Sequence, residues 1–233
     1  MISVHLPLLD QAVFVLAALV LLTAFALLAQ ARLVSTVHAF AWQGAMVAAA
    51  TALMALAGHE PHLMLSAVLT LTLKALLIPW LLHRLIRRLN LERHVESVTH
   101  PVLVTMAGAA LVIFCYWLVL PIARLELAVT RNILAISLSV VLLGLLMMVA
   151  RRQAVSQVVG FMSMENGLFL TAVTATHGMP LVVELGVAFD VLVAAILFGV
   201  FFLQIREAID SLDVDRLNRL REEVPEDSAE VRS

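Results

Sequence analysis

Two long apolar runs near the carboxyl end of the chain, joined by a short turn, constrain its fold most strongly. Residues 154–204 are apolar enough to cross a bilayer twice, yet they contain Glu165, Glu184 and Asp190. A carboxylate near the bilayer centre costs roughly 2.5–3.5 kcal/mol on insertion scales, so it normally faces protein or water and marks an ion or proton route. The pattern predicts a transmembrane helical hairpin with a functional polar interior.

The spacing of these acids from the turn places two of them at one depth. Glu165 lies twelve residues before His177, and Asp190 lies ten residues after Pro180. At about 1.5 Å per residue, each is roughly 15–18 Å from the turn, near the middle of a hydrocarbon core about 30 Å thick. Burial and a neighbouring like charge both favour a protonated carboxyl group, so a buried pair is expected to share protons. Glu184, four residues past the turn, is expected nearer the membrane surface.

The composition of the whole chain indicates a polytopic membrane protein. Its 233 residues are 62% hydrophobic and 14% charged, with a mean hydropathy of +1.02, whereas a soluble domain is about half apolar and about a quarter charged. We therefore expect an all-α polytopic membrane protein. The apolar runs predict about seven transmembrane helices, at approximately 9–30, 36–57, 62–83, 101–121, 131–150, 154–176 and 181–204.

The arginines set the expected orientation. Twelve of the fourteen arginines fall in odd-numbered loops or after the last predicted span, and only two fall in even-numbered loops. Because cytoplasmic loops carry an excess of Arg and Lys, the amino terminus is expected outside and the carboxyl terminus in the cytoplasm.

The only lysine of the chain, Lys74, lies inside the third predicted span. It is about twelve residues from the turn at 58–62, and Gln43 lies fifteen residues before Gly58, so both are expected at mid-membrane depth. A mid-span lysine side chain is too short to reach a headgroup without local thinning or water. We expect Lys74 to be buried against a carboxylate of this chain or of another subunit, or to line a water-filled path. A snorkelling lysine is the alternative.

The acids and the histidine in the second span also have simpler interpretations. Glu165 and Asp190 are able to serve as structural hydrogen-bonding groups between helices, and Glu184 as an interfacial side chain. His38, five residues before Gln43, is either a proton relay from the cytoplasmic side or a histidine that is simply hydrogen-bonded.

The sequence contains no motif of a soluble catalytic site. There is no P-loop, GxSxG, dinucleotide-type GxGxxG or CxxC. A single cysteine, Cys115, excludes an internal disulfide, a cysteine cluster for iron–sulfur and a thiolate zinc site, and the histidines are scattered. We expect no cofactor, no metal and no nucleic-acid partner, and any redox chemistry is expected in a partner subunit.

The run ARRQAVSQVVGFMSMENGLFL and the later run PLVVELGVAFDVLVAAILFGV resemble hydrogenase-4 component E. That family supplies the membrane subunit of formate-hydrogenlyase-type and related energy-converting [NiFe] hydrogenase complexes. More distantly, spans five to seven are similar to the K subunit of respiratory complex I and the C subunit of multisubunit Na⁺/H⁺ antiporters. Those subunits carry two intramembrane glutamates, which match Glu165 and Asp190. Asp190 departs from the pattern because it is one methylene shorter.

The resemblance implies a domain organisation. It divides the chain into an N-terminal region of about four spans (1–125), a K-subunit-like three-helix module (126–206) and a cytoplasmic tail (207–233). The run DSLDVDRLNRL in this tail is similar to the short carboxyl-terminal segment of the K-like subunits. The four preceding spans have no counterpart there, so the roles of Gln43 and Lys74 rest on depth alone.

The resemblance also implies a function. We expect a non-catalytic subunit in the prokaryotic inner membrane, part of a hetero-oligomer with antiporter-like subunits and a hydrogenase-type or other redox module. Glu165, Asp190 and Glu184, with Lys74, would relay protons between those parts. The alternatives are a scaffold that joins the membrane subunits, a subunit of a multisubunit cation/proton antiporter, or a stand-alone solute carrier. The ion, H⁺ or Na⁺, and the electron donor stay open.

Overall fold

A computed structural model describes residues 5–58, 61–88, 100–121, 128–175 and 186–200. These residues form an all-helical fold, as expected from the sequence. The chain divides into two compact units, 1–194 and 195–233, and the packing and polar contacts below lie within the first. The helices are α1 (His5–Ala29), α2 (Leu33–Gly58), α3 (Pro61–Thr70), a π-helical segment (Leu71–Leu77), α4 (Ile78–Arg88), α5 (Pro101–Val119), α6 (Ala128–Ala150), α7 (Ala154–Ala175) and α8 (Gly186–Val200).

Five stretches of the described chain are long and apolar enough to cross a membrane. The sixth and seventh predicted spans coincide with α7, which has 22 residues, and with the shorter α8, neither of which is among the five. The count of seven therefore stays a prediction, as does the division into regions 1–125, 126–206 and 207–233. The five stretches are Gln11–Ala29, Leu33–Gly58, Leu63–Arg87, Pro101–Val119 and Asn132–Ala150.

The outer surface of the helices is apolar. Trp42, Leu65, Ile113 and Trp117, which lie on three different membrane-crossing stretches, are each between 65% and 70% exposed. Soluble monomers rarely expose large contiguous apolar patches, whereas lipid tails solvate them. Together with the five apolar stretches, this surface identifies a membrane protein.

Helices α6 and α7 approach each other closely enough for their backbones to touch. A Cβ added at Gly144 of α6 would lie 2.6 Å from the amide nitrogen of Met164 and 2.7 Å from the carbonyl oxygen of Gly160, both on α7. Without a hydrophobic driving force in lipid, membrane helices gain their contact energy from such close approach at small residues. This contact fixes α7, the helix that carries Glu165, against α6.

The third membrane-crossing stretch is unevenly wound. Its middle, Leu71–Leu77, is π-helical, and the amide of Ile78 donates to the carbonyl of Leu73, five residues earlier. Pro79 follows directly; it has no amide hydrogen, and in a regular α-helix its ring would press on the carbonyl four residues earlier. Wide turns of this kind occur frequently at functional sites, and this one contains Lys74.

The connection between α6 and α7 is tied to the end of α1. The guanidinium of buried Arg151 donates hydrogen bonds to the carbonyl oxygens of Leu28, at 2.6 Å, and Gln30, at 3.1 Å. Burial lowers the pKa of this guanidinium, but arginine remains charged in proteins. A positive charge at a helix C-terminus stabilises its unpaired carbonyl groups, so Arg151 ties the end of α1 to the connection between α6 and α7.

The close contact between α6 and α7 predicts the effect of one added methyl group. We expect Gly144→Ala to lower the stability by about 1–3 kcal/mol, because its Cβ would overlap the backbone of α7. Thermal or denaturant unfolding in detergent measures the change. Gly199→Ala is the matched control, since a Cβ there meets no described atom within 4 Å. Equal stability of the two variants would contradict the close approach.

The predicted topology is open to a direct test with reporter fusions. We expect a fluorescent protein fused after Ser233 to fold in the cytoplasm, and alkaline phosphatase inserted between Gly58 and Pro61 to be active outside, because of the arginine distribution. Phosphatase inserted between Arg151 and Ala154 is the control and should be inactive. The opposite activities at all sites would overturn the orientation. Active phosphatase both between Gly58 and Pro61 and after Ser233 would instead contradict an odd number of spans.

Candidate functional site

A cluster of buried charges lies where the π-helical segment meets α7 and α8. The Nζ atom of Lys74 is 2.8 Å from Oε2 of Glu165 and 3.3 Å from Oδ1 of Asp190. Lys74 is 0% exposed, Asp190 1% and Glu165 6%. The structure thus brings both mid-membrane acids of the sequence to one cation. The sequence had left open whether the carboxylates that face Lys74 belong to this chain or to another subunit, and in the structure both belong to this chain.

Lys74 reaches the acids because its segment lies directly on α2. A Cβ added at Gly44 of α2 would lie 2.9 Å from the Cβ of Lys74 and 3.2 Å from its carbonyl carbon. A glycine at this position leaves room for the start of the lysine side chain between the two helices. Close packing of Lys74 against α2 therefore requires a small residue on α2 opposite the wide turn of the π-helical segment.

A chain of amide side chains fixes the position of the lysine. Nζ of Lys74 donates to Oδ1 of Asn166 at 2.9 Å, Nδ2 of Asn166 donates to Oε1 of Gln43 at 3.2 Å, and Nε2 of Gln43 donates to the carbonyl of Val20 at 3.4 Å. An ammonium group only donates, so Asn166 must present its oxygen to it. The orientation of each following amide then follows from the one before. The chain connects the cluster to α1.

The cluster holds fewer positive than negative groups. One ammonium faces two carboxyl groups, and within the described residues no hydrogen-bond donor of good geometry reaches either oxygen of Glu165 or Oδ1 of Asp190. Their contacts with Lys74 are therefore ion pairs by distance. A buried, uncompensated carboxylate is costly. One ammonium therefore balances the charge of only one of the two carboxyl groups.

A cavity of about 400 Å³ adjoins Glu165. Its walls are mostly apolar, and the carboxyl group of Glu165 is the one ionisable group among the described residues that line it. The ring of Phe169 in this wall has its centroid 5.5 Å from Nζ of Lys74, a cation–π distance. Glu165 and Thr171 are the two polar side chains among its described lining residues. The lining residues are Glu165, Leu168, Phe169, Thr171, Ala172, Gly186 and Phe189.

The structure bears differently on each of the remaining sequence candidates. Glu184 lies outside the described residues, as does the tail. His38 is exposed, and its Nδ1 donates to the carbonyl of Val34 at 2.8 Å, which matches the simpler of its two interpretations. Gln43 joins the cluster through Asn166, a residue that the sequence analysis did not select. The available signal was its polarity beside Glu165 in the middle of an apolar run.

The cluster combines side chains of the types that exchange protons in proteins. Carboxyl and amino groups in contact can pass a proton without breaking other bonds. Among the described residues there is no group of three or more His, Cys, Asp and Glu side chains that could hold a metal ion. The amides of Asn166 and Gln43 do not titrate, so their role is to position Lys74.

Comparisons with known proteins give two relationships. The chain is 35% identical over 187 residues to the uncharacterized protein Rv0085 of Mycobacterium tuberculosis, covering 80% of this chain and 85% of that protein. It is 28% identical over 148 residues to hydrogenase-4 component E of Escherichia coli, covering 64% of this chain and 68% of that protein, and equally similar to its Shigella flexneri counterpart. No family model and no solved structure matches the chain.

Removing the lysine should leave two buried acids without a cation. We expect Lys74→Met to lower the stability by roughly 3–5 kcal/mol at mildly alkaline pH. The loss should shrink as the pH falls, because protonated acids need no cation. Unfolding in detergent across a pH series measures this.

Gln43→Met is the matched control for the lysine variant. It removes a buried polar group of the same network without changing the charge, so its loss of stability should vary little with pH. The same pH dependence in both variants would show that Lys74 does not compensate the acids.

Proposed function

Because the chain belongs to the family of the uncharacterized protein Rv0085 and is distantly similar to hydrogenase-4 component E, we propose that it is a non-catalytic membrane subunit of a hydrogenase-type energy-converting complex. In this proposal it relays protons between the redox-linked module and antiporter-like membrane subunits. The helical, lipid-facing fold and the name of the second relative support the membrane-subunit part. The resemblance of spans five to seven to the complex I K subunit and the antiporter C subunit motivates the relay.

The observation that carries the relay proposal is the position of Lys74 between two acids. Its Nζ contacts both Glu165 and Asp190 within 3.3 Å, so one ammonium group links the two acids between which the proton is proposed to pass. In this proposal the two acids share one proton, which either of them is able to hold. A charge that moves elsewhere in the complex shifts the balance between these two states.

The described geometry suggests an order of residues along the route. Glu165 borders the cavity of about 400 Å³ and is proposed to be the acid at which the proton enters the cluster. Lys74 bridges it to Asp190 on α8. Asn166 accepts a hydrogen bond from the ammonium, and Gln43 in turn holds the amide of Asn166. Glu184 is proposed to extend the route toward the outer surface, as its place near the predicted outer turn requires.

A scaffold role is the second candidate, and one observation favours it. The charge cluster and its amides connect residues far apart in the chain, from Val20 through Gln43 and Lys74 to Glu165 and Asp190. A network of this kind is able to serve as a structural link between helices. The relay role requires an ionisable proton on the acid, whereas the scaffold role requires only the contacts between helices.

A subunit of a multisubunit cation/proton antiporter is a further alternative. In that case the reaction that drives transport would differ, but the proposed relay residues would be the same.

A single isosteric substitution separates the two roles. We expect Glu165→Gln to leave complex assembly and redox turnover largely intact. Ion translocation per turnover should fall at least about tenfold, because the substitution removes the carboxyl group that accepts and donates the proton. Inside-out membrane vesicles with a pH-sensitive dye, compared with the rate of the redox reaction, measure the ratio.

Thr171→Val provides the matched control for this measurement. It changes a side chain of the same helix and the same cavity but removes no ionisable group, so normal translocation is expected. Normal translocation in Glu165→Gln would exclude the relay. A reduced yield of the assembled complex with an unchanged translocation ratio would instead favour the scaffold.

A further inference from the structure

A second cavity, of about 570 Å³, lies between α2 and the helical stretch that contains Lys74. It is an open groove rather than an enclosed chamber, and it is separate from the charge cluster. Four of its lining residues are basic, namely His38, His83, Arg84 and Arg87, and no acid is among the described residues that line it. The other lining residues are Val37, Ala41, Ala75, Leu76, Pro79 and Trp80.

The chemistry of the groove changes along its length. Ala75 and Leu76 at the inner end follow Lys74 directly, while Arg84 and Arg87 lie in the last turns of α4. Ten residues of helix separate Lys74 from Arg84, roughly 15 Å at 1.5 Å per residue. The apolar part of the groove is therefore at the depth of lipid tails, and the basic part is at the depth of headgroups.

Aromatic contacts organise the basic end. The guanidinium carbon of Arg84 lies 5.3 Å from the centroid of the Trp80 ring, and the rings of His38 and His83 lie 5.3 Å apart at nearly a right angle. Trp80 is 51% exposed. Tryptophan is enriched at headgroup level, where its ring is partly in the apolar region. Trp80 thus marks the boundary between the two parts.

We propose that this groove is a binding site for one anionic phospholipid. Its phosphate would bind to Arg84 and Arg87, beside the two histidines, and an acyl chain would lie along Ala41, Leu76 and Trp80. Arginine forks match the geometry of phosphate oxygens. A basic pocket between helices at the cytoplasmic side, where the arginine distribution places it, is a recurrent mode of headgroup binding.

A lipid fits the groove better than a free anion does. Inorganic phosphate would use the basic end alone and would leave the apolar inner half of the groove without an occupant. A lipid matches both the charge at one end and the apolar wall at the other. The proposal rests on membrane insertion of the chain and is independent of the proton relay.

Trp80 serves as the reporter in the test. The full-length chain with Trp42→Phe and Trp117→Phe retains Trp80 as its one tryptophan. It is reconstituted in phosphatidylcholine vesicles that contain equal small fractions of either brominated phosphatidylglycerol or brominated phosphatidylcholine. Because two arginines lie near the membrane surface, the brominated anionic lipid should quench Trp80 to the same extent as the brominated phosphatidylcholine at a fraction that is roughly five times lower or less. Arg84→Gln with Arg87→Gln should bring the two lipids to equality.

Two further variants serve as controls, and two results would overturn the proposal. Arg84→Lys with Arg87→Lys keeps the charge and should retain most of the preference, which separates lost charge from lost folding. Arg32→Gln with Arg152→Gln removes two exposed arginines outside the groove and should leave the preference unchanged. Equal quenching by both lipids in the parent chain, or a preference abolished by added inorganic phosphate, would overturn the proposal. A groove reserved for a protein partner would give the first of these results.

Discussion

The ammonium group of Lys74 is buried without access to water, and the structure around it depends on that fact. A fully enclosed cation requires compensation by charge and by hydrogen-bond acceptors. Glu165 and Asp190 supply the charge, and Asn166 supplies the acceptor. These groups come from α7 and α8, so the requirement of one side chain on the third membrane-crossing stretch specifies how both helices must lie against it.

The apolar parts of the fold serve this arrangement by allowing close approach. Gly44 leaves space for the lysine segment on α2, and Gly144 lets α6 support α7 at backbone contact. Arg151 ties the end of α1 to the start of α7. In lipid these contacts replace the hydrophobic driving force that packs a soluble core. Small residues and buried polar groups therefore have the role that large apolar side chains have in water.

The helical rise was sufficient to predict part of the site. Because 1.5 Å per residue converts sequence distance into depth, the positions of Glu165, Asp190, Lys74 and Gln43 in the chain predict one common depth for all four, and the structure joins them in one network. Depth does not give the direction in which a side chain points around its helix. For that reason the sequence left open whether the acids of this chain or those of another subunit face Lys74.

Two features had no strong sequence signal. The π-helical turn follows from the local conflict at Pro79 and from packing against α2, and a proline inside an apolar run is equally compatible with a simple kink. Asn166 follows Glu165 directly, about 100° further around the helix, and its contact with Lys74 depends on the position of a residue 92 places earlier in the chain. The role of Glu184 and the number of spans remain predictions.

The two sides of the ion pair are mounted differently. Glu165 belongs to a helix that touches its neighbour backbone to backbone, so its carbon skeleton has little freedom to shift. Lys74 belongs to a loosely wound turn and ends in a long, unbranched chain of methylene groups. The acid is therefore positioned mainly by the backbone of its helix, whereas the ammonium is positioned by the side chains that surround it.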